Sequence, residues 1–116
     1  VEPGLCRIHL PFRADLTQQH GFMHAGALSS VVDSACGYAA LTLMDPSAAV
    51  LSVEFKVNLL APAEGELLIA EGRVVKSGRT LTVCSGEAMA VSPKGRKLVA
   101  TMTATMIAVR DRGLAD

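Results

Sequence analysis

The feature that most constrains the fold is an apolar run at residues 27–44, in which Asp33 is the single charge. As a helix, this run would be about 27 Å long. Small side chains dominate it and let neighbouring backbones approach closely, which favours a helix surrounded by strands. They are Ala27, Ser29, Ser30, Ser34, Ala35, Cys36, Gly37, Ala39 and Ala40. A transmembrane span is disfavoured, because a carboxylate near its middle costs roughly 2.5–3.5 kcal/mol.

Asp33 is the residue of this helix that needs a physical explanation. An ionised carboxylate inside a packed helix is costly unless a partner compensates its charge. Ser29, Ser30 and Gly37 lie three or four residues away and share its side of the helix. This small, polar side favours a cavity beside Asp33. An Asp that faces water near the first turns, where the helix dipole stabilises a carboxylate, is an equally good interpretation.

Alternating apolar and polar residues predict five β-strands around the helix. The first strand, near residues 6–12, contains Pro11, which places it at an edge or near an end. Asp45-Pro46 ends the helix, because the residue before a proline is pushed out of the α region. Short turns then join strands at about residues 51–59, 68–75, 80–91 and 97–109. The sequence therefore predicts one α+β domain over residues 1–116, with an antiparallel sheet.

Two of these strands have one strongly apolar predicted face. On the second strand the face consists of Leu51, Val53, Phe55, Val57 and Leu59, and on the last it consists of Leu98, Ala100, Met102, Ala104, Met106 and Ala108. One helix cannot cover all of this surface or both sheet edges. We therefore expect a homo-oligomer.

Composition limits the partners and the compartment. Eleven basic residues balance eleven acidic ones, so the chain has no general attraction for nucleic acid or for anionic lipid. Its three cysteines lack a Cys-x-x-Cys spacing, which favours buried free thiols over a disulfide framework or a zinc site. No signal peptide, lipidation motif or transit segment is recognised, and we expect a cytoplasmic protein without a membrane partner.

The segment that leads into the helix carries a spaced motif of Gln18, then His24-Ala25-Gly26, then Asp33. With these residues the sequence resembles the hot-dog-fold acyl-CoA thioesterases of the phenylacetic-acid-degradation (PaaI-like) type and their 4-hydroxybenzoyl-CoA thioesterase relatives. The resemblance continues through residues 53–62 and 76–80, so it covers nearly the whole chain. One residue departs from the family pattern: Ala25 replaces the first glycine of the family's His-Gly-Gly, and its backbone N–H can still act as a donor if its φ is negative.

The resemblance implies a fold, an activity and an assembly. The fold is a five-stranded antiparallel sheet wrapped around one long central helix, and the assembly is a homodimer or a homotetramer with composite sites at the interface. The activity is hydrolysis of an acyl-CoA thioester without a cofactor or a metal. The acyl group itself is not predicted, and Phe22, Met23, Tyr38 and Leu41 are only candidates for its pocket.

The resemblance also implies residue roles. Asp33 is the general base or the nucleophile, and the amides of Ala25 and Gly26 at the helix N-terminus stabilise the oxyanion. Gln18 orients the thioester or the water, and Ser52 assists the water. His24 either takes part in catalysis or holds the loop by a hydrogen bond, and the second role is favoured.

Four further residues are candidates for substrate binding: Gly37, Asn58, Lys76 and Arg79. Lys76 and Arg79 lie in a predicted hairpin that resembles a basic turn near the coenzyme's nucleotide in the family, where a guanidinium can grip phosphate. Lys94, Arg96 and Lys97 form a second basic turn, whose charges we expect simply to face solvent.

Three other functions stay open. His20 and His24 are four residues apart, as in some zinc sites, but Gly21 argues against a helix there and no third ligand is evident. A hot-dog hydratase or dehydratase would carry His and carboxylate at other spacings. A non-catalytic acyl-CoA-binding domain would keep the fold and lose the carboxylate, so Asp33 favours an enzyme.

Overall fold

The computed structural model describes residues 1–13 and 22–110 and contains one helix and five strands in them. The elements are β1 (Leu5–Pro11), α1 (Ala25–Leu41), β2 (Ala49–Leu59), β3 (Leu67–Ser77), β4 (Leu81–Ser92) and β5 (Gly95–Val109). All strand pairs are antiparallel, and the strand order is β1-β3-β4-β5-β2. The predicted α+β fold, a five-stranded sheet with one central helix, is confirmed.

The two sheet edges are β1 and β2. The position of β1 confirms the edge that Pro11 predicted. Segments 78–80 and 93–94 connect antiparallel neighbours as hairpins, whereas segment 60–66 crosses the sheet, because β2 pairs with β5 and β3 pairs with β1 and β4. The strand that follows α1 is therefore left with a free edge among the described residues.

The helix lies directly on a pair of glycines in the sheet. Gly72 of β3 and Gly86 of β4 are register partners. A Cβ on Gly72 would overlap the backbone of Ala35 and Cys36, and a Cβ on Gly86 would lie 2.6 Å from a methyl group of Val32. Small residues on both surfaces thus let α1 and the sheet approach closely, which is what the small side chains of the helix predicted.

Only one face of α1 is covered within the chain. Its buried residues are Leu28, Val32, Ala35, Cys36, Ala39 and Ala40. Ser30, Ser34 and Tyr38, on the opposite face, are exposed, and Tyr38 retains 56% of its accessible surface. Among the described residues, the sheet curves around one side of the helix and leaves this opposite face exposed.

The helix also ends earlier than the apolar run. It stops at Leu41, and Thr42 forms its C-terminal cap. The Thr42 hydroxyl donates to the Ala39 carbonyl at 2.6 Å and accepts from the Gly4 amide at 2.7 Å, which ties the helix end to the segment before β1. None of the helices among the described residues is long and apolar enough to span a membrane.

Two β-bulges change which residues face the helix. The register between β2 and β5 shifts at Val53, and the register between β4 and β5 shifts at Val99. As a result Val99 is fully buried whereas Leu98 is 37% exposed, and Leu51 pairs with Ile107 on the outer face while Phe55 pairs with the buried Ala104. The predicted continuous apolar faces of β2 and β5 are therefore wrong at Leu51 and Leu98, because each bulge inverts the alternation.

Candidate functional site

A carboxylate and a hydroxyl meet where the middle of α1 crosses the start of β2. Ser52 Oγ donates a hydrogen bond to Asp33 Oδ1 at 2.8 Å and lies 3.4 Å from Met106 Sδ. Asp33 is half-buried. This exposure is intermediate between the two interpretations of the sequence, an Asp beside a cavity and an Asp facing water. This single hydrogen bond fixes one carboxylate oxygen and leaves the other available, because Asp33 makes no ion pair with the described residues.

The bulge at Val53 is what turns Ser52 towards Asp33. Ser52 pairs with Met106, whose side chain is fully buried on the helix side of the sheet. In an unbroken strand, Ser52 would share a face with Glu54, which pairs with Thr105 on the outer surface. The extra residue places Ser52 on the inner face instead, and bulges commonly re-aim a side chain in this way. The role of Met106 beneath Ser52 was not predicted, since only the bulged register brings these residues together.

The first turn of α1 has backbone donors with no side-chain cap. His24 occupies the N-cap position with extended ψ (φ −59°, ψ 139°), but its side chain makes no capping hydrogen bond, and the first turn contains no acidic residue. His24, Ala25 and Gly26 are all exposed. The first amides of a helix have no partner within the helix and form its positive dipole end, so this turn can bind a negatively charged oxygen.

An apolar cavity of about 420 Å³ opens beside these amides. We call it the N-terminal cavity; it is lined by Phe22, Met23, Ala25, Leu28, Leu59, Leu60, Ala61, Pro62 and Ala63. Met23 donates its backbone N–H to the Ala63 carbonyl at 2.8 Å, which joins the approach to the helix to the crossover after β2. Phe22 and Met23 were predicted as pocket residues, whereas Tyr38 and Leu41 do not line this cavity.

The carboxylate and the free amides are separated along the helix. Asp33 is eight residues after Ala25, a rise of about 12 Å. A carbonyl group is only about 1.2 Å long, so one carbonyl in one chain cannot touch both. Gln18, which should complete this site, and His20 lie outside the described residues.

The four predicted substrate-binding residues are dispersed. Gly37 lies one turn after Asp33, and a Cβ there would meet no atom within 4 Å, so open space adjoins it. Asn58 lies on the outer face, where its Nδ2 is 3.3 Å from Thr101 Oγ1. Lys76 and Arg79 are exposed at the β3–β4 hairpin. The structure thus places Gly37 near Asp33 but directs Asn58 away from it.

Two buried thiols near Asp33 are poor nucleophiles. Burial raises the pKa of Cys36 to about 12 and that of Cys84 to about 11, so both are protonated at neutral pH, whereas the thiolate is the reactive form. All three cysteines are free and buried, as predicted. Within the described ranges, no group of three His, Cys, Asp or Glu side chains could hold a metal ion.

Known proteins with similar sequences or folds carry thioesterase and esterase names. A candidate esterase of Saccharolobus solfataricus is 32% identical over 83 residues, which are 72% of this chain and 59% of the relative. A thioesterase family protein from Silicibacter pomeroyi is 54% identical with a TM-score of 0.93 over 95% of this chain and 81% of that one. The chain thus spans less than two thirds of its Saccharolobus relative.

Two further solved structures share the fold. A candidate thioesterase from Ralstonia eutropha, described as related to phenylacetic acid degradation, is 25% identical with a TM-score of 0.79 over 90% of this chain and 76% of that one. A Bacillus halodurans protein solved with CoA is 21% identical with a TM-score of 0.82 over 91% and 68%. Residues 20–95 match the thioesterase superfamily. With this match, which covers more than half of the sequence, the resemblance to the hot-dog thioesterases is confirmed, and the chain belongs to the thioesterase superfamily.

Proposed function

We propose that this protein is an acyl-CoA thioesterase, which hydrolyses a thioester to a carboxylic acid and coenzyme A. The observation that carries the proposal is that one helix presents both a carboxylate held by a serine and an uncapped first turn of amide donors. Thioester hydrolysis needs these two functions, a group that activates or acts as a nucleophile and donors that stabilise the oxyanion.

Asp33 supplies the carboxylate in one of two ways. As a general base it takes a proton from water, which then attacks the thioester carbon. As a nucleophile it attacks that carbon itself, the carbon–sulfur bond breaks with release of the coenzyme A thiolate, and water later cleaves the resulting anhydride. In either case Ser52 orients the carboxylate through its 2.8 Å hydrogen bond. Gln18 orients the thioester or the water, and His24 either takes part in catalysis or holds the loop by a hydrogen bond.

The separation of Asp33 from Ala25 supports a composite site. Because a rise of about 12 Å separates them in one chain, both can contact the same thioester only if the carboxylate of one chain lies next to the first turn of another. We therefore propose a homodimer, in which Asp33 and Ser52 of one subunit face Gln18 and the amides of Ala25 and Gly26 of its partner. Two such homodimers form the predicted homotetramer through the remaining surfaces.

The exposed β2 edge supports the same assembly. Val53, Phe55 and Leu59 are 55%, 44% and 55% exposed, and a long apolar edge strand needs a partner. If two β2 strands pair antiparallel about Phe55, Glu54 of each chain lies opposite Lys56 of the other. Neither residue has an ion pair with another residue that the structure describes. This pairing brings the start of β2, with Ser52, beside the end of the other β2, where the N-terminal cavity begins.

A coenzyme A thioester fits the available surface. The Bacillus halodurans neighbour was solved with CoA, and the apolar N-terminal cavity can bind an acyl group or a pantetheine arm. Lys76 and Arg79 are exposed and make no ion pair with described residues, so they can contact phosphates of the nucleotide. Gly37 and Asn58 remain candidates for substrate binding, Gly37 because of the open space beside Asp33.

Steady-state hydrolysis of a panel of aryl, short-chain and medium-chain acyl-CoAs, followed by release of the free thiol, tests the proposal. We expect turnover of at least one member and its loss in Asp33→Asn. Tight binding of acyl-CoA without turnover would instead identify a non-catalytic binding domain. Hydration of an enoyl-CoA without thiol release would identify a hydratase.

A further inference from the structure

A second cavity lies at the β4–β5 hairpin. Its volume is about 680 Å³, and it is lined by Glu64, Gly65, Ala90 and the whole segment Ser92–Lys97, which we call the basic hairpin. Three cations line this cavity, Lys94, Arg96 and Lys97, and Glu64 is the single acidic residue of the lining. The cavity is therefore positively charged overall.

The cations of the basic hairpin have no carboxylate partner among the described residues. Three arginines elsewhere do have one: Arg7 and Arg73 lie 2.6 Å and 2.9 Å from Glu71, and Arg110 lies 2.8 Å from Asp45. Within the hairpin, the Ser92 hydroxyl accepts from the backbone N–H of Lys94 at 3.2 Å, which orders the turn. The side chains are thus held on a defined turn and left free for an external anion.

The register places the basic hairpin next to the N-terminal cavity. The Val99 carbonyl accepts hydrogen bonds from the backbone N–H groups of Leu60 at 2.8 Å and Ala61 at 3.3 Å, and both of these residues line the N-terminal cavity. Lys97 is two residues before Val99, about 7 Å along the strand. Its register partner Ala90 is buried in the core, so Lys97 lies on the helix side of the sheet.

We propose that the basic hairpin binds the phosphate groups of the substrate's coenzyme portion, an inference that rests on the proposed function. The ligand class is a phosphorylated pantetheine thioester, whose thioester lies at the N-terminal cavity while its phosphates reach Lys94, Arg96 and Lys97. Arginine and lysine bind phosphate through charge-assisted hydrogen bonds. The phosphates belong either to the nucleotide of CoA or to a phosphopantetheine attached to a carrier protein.

This site is separate from Lys76 and Arg79 of the same chain. The two hairpins lie at opposite ends of β4, a strand of 12 residues that spans roughly 36 Å. Lys76 and Arg79 therefore cannot approach a thioester bound at the helix N-terminus of their own subunit, whereas the basic hairpin can. CoA carries a pyrophosphate and a 3′-phosphate, so cations from both subunits can contribute to binding.

The test compares thioesters that share one acyl group and differ in their phosphates: acyl-pantetheine, acyl-4′-phosphopantetheine and acyl-CoA. In the variant Lys94→Gln/Arg96→Gln/Lys97→Gln we expect the KM for acyl-CoA to rise about tenfold with kcat nearly unchanged. The KM for acyl-pantetheine should stay the same. The matched control Arg7→Gln/Arg73→Gln/Arg110→Gln removes the same number of cations elsewhere and should change neither KM.

The phosphopantetheine substrate identifies the contacted phosphate. If the KM of the hairpin variant rises for both phosphorylated substrates, the hairpin contacts the phosphate that CoA shares with carrier proteins. If the KM rises for acyl-CoA alone, the hairpin contacts the nucleotide. An unchanged KM for acyl-CoA in the hairpin variant overturns the proposal, and so does an equal increase for acyl-pantetheine. If the wild type hydrolyses none of the three, the proposed function fails, and calorimetric binding of adenosine 3′,5′-bisphosphate to wild type and variant still tests the hairpin.

Discussion

The middle of α1 and its first turn differ in charge, in polarity and in the groups they offer to a ligand. The middle presents a carboxylate, Asp33, held by Ser52. The first turn presents uncapped amides with no acidic residue nearby along the helix, beside an apolar cavity. Under the proposed function, one region activates a nucleophile and the other stabilises an oxyanion, so that the two regions are complementary halves of one reaction.

The separation of the two regions preserves the function of each. An Asp in the first turn or at the N-cap would accept hydrogen bonds from the amides and neutralise the dipole, which would leave no donors for a substrate oxygen. At about 12 Å, Asp33 cannot do this within its own chain. In the proposed homodimer, subunit assembly would bring the carboxylate and the donors together.

Loss of the carboxylate should have the largest effect. In Asp33→Asn the side chain keeps its shape but can no longer act as a base, and we expect turnover to fall by about 10²–10⁴-fold, the usual contribution of a general base. Loss of a nucleophile would cost more. Acyl-CoA hydrolysis and thermal unfolding measure the two effects, and we expect the unfolding temperature to change little.

The control for this variant is Asp45→Asn, which removes a surface carboxylate that pairs with Arg110. It should hydrolyse acyl-CoA like the wild type. Activity of Asp33→Asn within about threefold of wild type would give Asp33 a structural role, because that loss lies far below the range for a general base.

The sequence predicted the elements of the fold better than their faces. Alternation identified all five strands, and the small residues of α1 predicted its close approach to the sheet at Gly72 and Gly86. The bulges at Val53 and Val99 were not predictable, since a single extra residue depends on pairing between strands that are distant in sequence. For this reason the contact between Ser52 and Asp33 was not predicted, and the family resemblance implied only that Ser52 assists the water.

Predictions for the candidate site are limited in the same way, because tertiary contacts cannot be read from the sequence. The roles that the resemblance implies for Asp33, Ser52 and the first turn of the helix stay predictions, and spacing alone did not indicate that Asn58 faces the outer surface with Thr101. The basic turn at Lys94–Lys97 gave no sequence signal beyond its charge. Its proximity to the N-terminal cavity follows from the hydrogen bonds of Val99, which are tertiary contacts.

Subunit mixing tests whether the two regions act across an interface. Asp33→Asn and Gln18→Ala homodimers should each be nearly inactive. After subunit exchange, half of the dimers are mixed, and one of the two sites in each mixed dimer has both Asp33 and Gln18. Activity should therefore recover to about a quarter of the wild-type value. Exchange can be demonstrated by mass spectrometry, and no recovery in exchanged samples would contradict shared sites.

Removal of the Ser52 hydroxyl should have a smaller effect. Ser52→Ala loses the hydrogen bond that orients the carboxylate, and a hydrogen bond to a charged group is worth about 1.5 kcal/mol or more. We expect kcat to fall about tenfold with little change in KM. Ser34→Ala, an exposed position on the same helix, is the matched control, and equal kcat values in the two variants would exclude a role of Ser52 in orienting Asp33.

Charge reversal on the β2 edge tests how the regions are brought together. In Lys56→Glu, like charges would oppose each other across the proposed β2 pair, and we expect the dimer dissociation constant to rise about tenfold. Glu54→Lys/Lys56→Glu restores opposite charges and should return the constant towards the wild-type value. Analytical ultracentrifugation measures both variants. An equal loss of affinity in both would exclude pairing centred on Phe55.

The smallest effect is expected for the hairpin of Lys76 and Arg79, which lies at the same end of the sheet as Ser52. Both side chains are exposed, so solvent and salt weaken their attraction for phosphate. In Lys76→Gln/Arg79→Gln we expect the KM for acyl-CoA to rise about threefold to fivefold and to depend less on salt. The kcat should be nearly unchanged, because a phosphate contact stabilises the bound substrate and the transition state alike. A KM equal to that of the wild type at low ionic strength would leave the basic hairpin as the one proposed source of phosphate contacts. The coenzyme would then be held by the subunit whose first helical turn binds the thioester oxygen.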